Sequence, residues 1–160
     1  MNYRITLAAT LLTGVATLTG CTYQEAKDCT GMEVSNAWVR QAPGSASVQA
    51  GYFTLTNSGG MEIVVHSVDS PDFGRVEMHE TVTESGTTKM KSVEAFRVPP
   101  RTTVSFQAGG KHLMLFNPRL SYASGDRVQL QFVCGSDRAR TPVAAEIRSN
   151  EPIDEKPTGA

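Results

Sequence analysis

Residues 75–93 read RVEMHETVTESGTTKMKSV, two alternating runs joined at Ser85-Gly86. A Ser-Gly pair between alternating runs is a β-hairpin signal. With those two residues as the turn, Glu84 pairs with Thr87 and Thr81 pairs with Met90. Directly opposed residues of an antiparallel pair point to one side. His79 lies two positions from Thr81, so it shares that side and becomes a diagonal neighbour of Met90, at roughly 6–8 Å. A register slip of one residue would part them to opposite faces.

The same grammar runs outward from the hairpin. Upstream, Val34–Arg40 (with the lone Trp38), Val48–Thr56 and Glu62–Val68 read as strands, separated by the small residues of 41–47 and by Asn57-Ser58-Gly59-Gly60. Downstream, Pro99-Pro100 interrupts the pattern. Thr102–Gln107, Lys111–Phe116 and Arg127–Cys134 follow, and Pro142–Ile147 reads as a final strand. Val128, Leu130, Phe132 and Cys134 share one face of their strand by period-two alternation. Short strands at close spacing, punctuated by Gly and Pro, define an all-β sandwich or barrel in a single domain. The only helix expected is a turn within the 117–124 loop.

Residues 1–20 carry one basic residue, Arg4, then an uncharged apolar and small-residue run that ends in Leu18-Thr19-Gly20-Cys21. This is a secretory signal, too short and too interrupted for a membrane span. Its ending resembles a bacterial lipobox, which implies cleavage before Cys21 and acylation of its thiol. The division expected is a lipoprotein signal over 1–20, a lipid-anchored tether over 21–32, a β-domain over 33–149 and a polar tail over 150–160. Without residues 1–20 the chain has 14 Lys+Arg against 16 Asp+Glu, a formal charge of −2. Both signs are interspersed, which leaves no basic footprint for nucleic acid.

Cys29 and Cys134 remain once Cys21 is set aside. In an oxidising compartment they are candidates for one disulfide. Two free buried thiols, or a thiol metal ligand, are the alternatives. No C-x-x-C pair supports a thioredoxin-like activity.

His112 and Met114 are spaced i, i+2 on a strand and so face one way. Gly109-Gly110 just upstream permits a tight turn that could lay this strand beside the hairpin. His79, Met90, His112 and Met114 then offer two imidazoles and two thioethers. Thioether sulfur is soft and neutral, and it suits Cu(I) far better than Zn(II), Mg(II) or Ca(II). Against this stands the ordinary use of methionine as core filling and of histidine as a surface or packed residue. Other readings carry less of the chain. An electron-transfer copper protein needs a thiolate beside His and Met in one late loop, and no histidine follows Cys134. No nucleophile-base pair or His/carboxylate cluster suggests an enzyme. A non-metal structural lipoprotein module would bind no copper at all.

Met78-His79, ten residues, Met90, twenty-one residues, then His112-Leu113-Met114 match a known pattern in all intervals. The chain resembles the periplasmic copper chaperone family with the signature H(M)X10MX21HXM. Asn36-Ala37-Trp38-Val39-Arg40, Glu77 to Thr81, Gly109-Gly110 and Gly125-Asp126 are also similar to that family, so the likeness covers residues 33 to 134. It implies a cupredoxin-like Greek-key β-fold and one copper ion held by His79, Met90, His112 and Met114. It also implies a role in supplying copper to the binuclear centre of cytochrome c oxidase, with a thiol-bearing Sco-type partner. Copper tolerance or storage is the alternative role. Met78 should point away from the ligands, and His66, outside the signature, is read as exposed or packed. The lipid anchor, the two further cysteines and the 117–124 loop are not hallmarks of that family.

Overall fold

The computed structural model describes residues 24–42, 46–84 and 86–149. The signal, Cys21 and the polar tail lie outside these residues. Ten strands form: β1 (Met32–Arg40), β2 (Val48–Asn57), β3 (Ile63–Asp69), β4 (Phe73–Glu84), β5 (Thr87–Ser92), β6 (Phe96–Val98), β7 (Thr102–Phe106), β8 (Lys111–Pro118), β9 (Arg127–Cys134) and β10 (Ala139–Arg148). They join in one unclosed sheet of order β5-β4-β8-β2-β1-β10-β9-β3-β6, with β7 also paired to β2. The β1–β10 pairing is parallel, and the named strands otherwise pair antiparallel.

The sheet folds over on itself because each half has one apolar face. β9 buries Val128, Leu130, Phe132 and Cys134, as alternation requires. Across the core β2 buries Phe53 and Leu55. Phe53 stacks on Phe106 with ring centroids 4.0 Å apart and meets Phe132 edge-on at 5.1 Å. Such ring pairs add about 0.5–1.5 kcal/mol each beyond the area they bury.

Three details differ from expectation. Residues 117–124 hold no helical turn, and β8 instead continues through Pro118, which pairs with Phe73. Phe96–Val98 is a strand that its three-residue length and the following prolines conceal. β10 begins at Ala139 and carries Pro142 inside it, opposite Gln131. That proline is tolerated because β1 reaches only Glu146–Arg148, which leaves Pro142 on an open stretch of edge.

One end of the sandwich is closed by polar and sulfur contacts. Asn57 is wholly buried, and its amide donates to the carbonyls of Met61 and Val98 at 2.8 and 2.9 Å. Its Oδ1 accepts from Gly59 N–H at 2.9 Å. Beside it, residues 24–31 are bonded to the domain rather than free. Ala26 N–H donates to Glu62 O, Glu62 N–H to Gln24 O, Ser136 N–H to Ala26 O and Asp137 N–H to Lys27 O. The Ala26 side chain is part of the core. The sulfurs of Cys29 and Cys134 meet, with Cα atoms 5.4 Å apart, within the span a disulfide needs. Gly135 permits this approach. It has φ +74°, and a Cβ there would lie 2.3 Å from Lys27 O.

Candidate metal centre

The hairpin adopts the register its turn dictates: Glu84 opposes Thr87 and Thr81 opposes Met90. Gly86, at φ +77°, supplies the left-handed backbone of the turn. His79 and Met90 therefore share a face. β8 then pairs with β4 on its other side, placing His79 directly opposite His112 and Glu77 opposite Met114. A tight turn makes this possible: Gly109 has φ +76°, Gly110 N–H donates to Gln107 O, and Gln107 N–H to Lys111 O. All four side chains project from the outer face of the sheet, while Met78, Leu113 and Leu115 fill the core behind them.

The two imidazole centroids lie 6.0 Å apart. A metal–imidazole bond is about 2 Å, so two rings on one ion have centroids separated by no more than about 6 Å. Met90, His112 and Met114 line one open cavity of about 460 Å³, whose other wall includes Arg40, Ala50 and Tyr52. Burial is graded across the group. His112 is 6% exposed, whereas Met90, on the edge strand β5, is 61% exposed.

Hydrogen bonds leave one nitrogen free on each ring. His79 Nε2 lies 2.9 Å from Glu77 Oε2, and a carboxylate can only accept, so Nε2 carries the proton. The other nitrogen, His79 Nδ1, is buried and has no partner. His112 Nδ1 donates to Gly110 O at 3.0 Å, which leaves Nε2 as its lone-pair nitrogen. Metal-binding imidazoles ordinarily have this arrangement, the second nitrogen donating to a carboxylate or carbonyl. The residues present thus fit a soft monovalent ion. Among the described residues no group of three or more His, Cys, Asp or Glu side chains could hold a metal. The donor set is therefore distinctive only when methionine is counted.

Glu77 escaped the sequence reading. Its signal is the i, i+2 spacing that puts it on the His79 face, where a carboxylate can accept from the imidazole. Its other oxygen forms an ion pair with Arg75, 3.0 Å from Nε. His66 is partly buried and lies 3.4 Å from Glu25 of the N-terminal segment, outside this centre. Cys134, paired with Cys29, is likewise outside it.

The fold is a cupredoxin-like β-sandwich that carries a His/Met cluster on one face. Residues 32–147 match the family model described as "Putative lipoprotein LpqE-like". The chain belongs to that LpqE-like lipoprotein family. It is 30% identical over 155 residues to the "Putative lipoprotein Lxx21020" of Leifsonia xyli subsp. xyli, covering 91% of this chain and 89% of that one. Among solved structures, the Cu(I) form of DR1885 from Deinococcus radiodurans is 28% identical, with a TM-score of 0.61 over 78% of this chain and 83% of that one. The copper-bound PCuAC domain from PmoF2 has a TM-score of 0.64 at 18% identity, over 79% of this chain and 99% of that domain, a likeness of fold.

Proposed function

We propose that this protein is an extracytoplasmic copper chaperone, tethered to a bacterial membrane through an acylated Cys21. It binds one Cu(I) through His79 Nδ1, His112 Nε2 and the thioether sulfurs of Met90 and Met114, and passes the ion to an acceptor. The observation that carries this reading is the pair of adjacent imidazoles, each with one nitrogen tied back and the other free, on the face that bears both methionines. All four donors are neutral, so Cu(I) keeps its charge and no thiol has to be deprotonated for loading. The Cu(I) form of the structural neighbour DR1885 supports the same choice of ion. The chain performs no chemistry on its cargo in this reading.

The acceptor we infer is the binuclear copper centre of cytochrome c oxidase, reached with a Sco-type thiol partner. Thiolate ligands are softer and anionic, so transfer from thioether and imidazole to thiolate runs downhill. Cys29 and Cys134 form a disulfide in this scheme and take no part in binding. Anaerobic Cu(I) titration against a chromophoric chelator tests the site. Wild type takes up one equivalent, and Met90→Ala and His112→Ala each lose it or hold it far more weakly. Full retention by both variants would refute the assignment.

A further inference from the structure

The N-terminal segment settles where a lipid anchor would place this domain. Only Thr22 and Tyr23 separate Cys21 from Gln24, whose carbonyl accepts from Glu62 N–H. Three residue steps span at most about 11 Å. Were residues 24–31 free, the eleven steps from Cys21 to Met32 could extend to roughly 38 Å. The strap therefore turns a long leash into a short one.

We propose that the end of the sandwich built from residues 24–31 and the turns at 58–62 and 135–138 is apposed to the lipid headgroups of the bilayer that carries the anchor. This rests on the acylation of Cys21 proposed above. The strap is fixed at several points: to Glu62, to Ser136 and Asp137, to Ser58 through Gly31 O, and at the paired Cys29 and Cys134. With that many contacts the domain cannot swivel on the strap, so the short tether sets orientation as well as distance. Met61, 45% exposed, lies on this end. Its charged residues have both signs, Lys27 and Arg138 against Glu25, Asp28, Glu62 and Asp137, with Glu62 paired to Arg97 and Glu25 beside His66. The reach of the tether, rather than lipid charge, selects the surface.

The orientation has a consequence for the His/Met pocket. Met32 pairs with Asn57 where the strap enters β1, and Met114 pairs with Ala50, seven positions along β2. At about 3.3 Å per residue the pocket stands roughly 23 Å from the apposed end. The partner such a presentation fits is a protein embedded in the same bilayer, with its receiving site at a similar height outside it.

The test uses full-length acylated protein in phosphatidylethanolamine–phosphatidylglycerol vesicles, with single cysteines introduced as M61C on the apposed end or S47C at the opposite end of β2. Reaction with a bulky maleimide is timed in vesicles and in a soluble C21S background. M61C should react several-fold more slowly in vesicles than in solution, and S47C equally fast in both. A twenty-residue Gly/Ser insert between Tyr23 and Gln24 should restore M61C reactivity while the protein still floats with the vesicles. Equal M61C rates in floating protein would overturn the apposition alone. Failure of the Cys21 protein to float would overturn the anchor and the apposition together.

Discussion

Glu77→Ala is the most discriminating change. Glu77 touches no proposed donor atom on copper, yet its carboxylate accepts from His79 Nε2 at 2.9 Å and so leaves Nδ1 as the lone-pair nitrogen. Its removal frees the ring to rotate or change tautomer, and leaves Arg75, now at 3.0 Å from Glu77 Oε1, as an uncompensated cation nearby. Loss of such an orienting partner typically costs about 10–100-fold in metal affinity. That corresponds to about 1.4–2.7 kcal/mol. Glu77 is one-third exposed, and water can replace part of what it supplies, so the lower half of that range is expected. Glu77→Gln should lie between wild type and alanine, because its amide oxygen can still accept from Nε2. The assay is anaerobic Cu(I) competition at fixed pH and chelator concentration. Glu80→Ala is the control: it is the next carboxylate along β4, on the other face, paired with Lys111 at 2.6 Å. If Glu77→Ala binds Cu(I) as wild type does, or no worse than Glu80→Ala, the inferred tautomer and the role of Nδ1 are wrong.

Three further outcomes follow from the closed end and the 117–124 region. Gly135→Ala combines a left-handed backbone with a Cβ 2.3 Å from Lys27 O, and should destabilise the fold by about 2–4 kcal/mol, read as a lower urea midpoint at unchanged slope. Asn57→Ala removes an amide that satisfies three backbone groups at 2.8–2.9 Å and should cost about 2–4 kcal/mol in thermal unfolding, with Cu(I) affinity unaltered once folded. Burial, and then the neighbouring Asp72 charge, push the Tyr122 phenol above its usual 10.0. Folding thus favours the protonated phenol, a contribution present in full below pH 10 and lost as the pH rises through the folded-state value. Tyr122→Phe should lack that alkaline decline in denaturant titrations at stepped pH.

Much of the hairpin was legible because turn chemistry sets register: Ser85-Gly86 alone predicts Thr81 opposite Met90, and that pairing forms. The i, i+2 spacing of His112 and Met114 was equally readable, since a strand has only two faces. Which neighbour β8 would choose was not. The opposition of His79 to His112 arises from long-range pairing between β4 and β8, and nothing local in either segment encodes that register. The same holds for the parallel β1–β10 pair and for the strap, whose polar sequence reads as linker although backbone hydrogen bonds and one small buried residue, Ala26, hold it down. The helical turn expected in 117–124 gave way because β4 supplies a pairing partner as far as Pro118. The short β6 was hidden for a related reason: buried Phe96 and Val98 belong to the core through their pairing with β3, not through any run of their own.

Met90 alone among the proposed donors stands on a perimeter strand with solvent on its far side. In the transfer proposed above, an incoming thiolate would enter the coordination sphere beside it and displace that sulfur while both imidazoles still grip the ion. Cargo exchange would then be associative, through a mixed complex shared by donor and recipient. The copper would not pass through a free aquated ion, and the sandwich would not have to open to let it go.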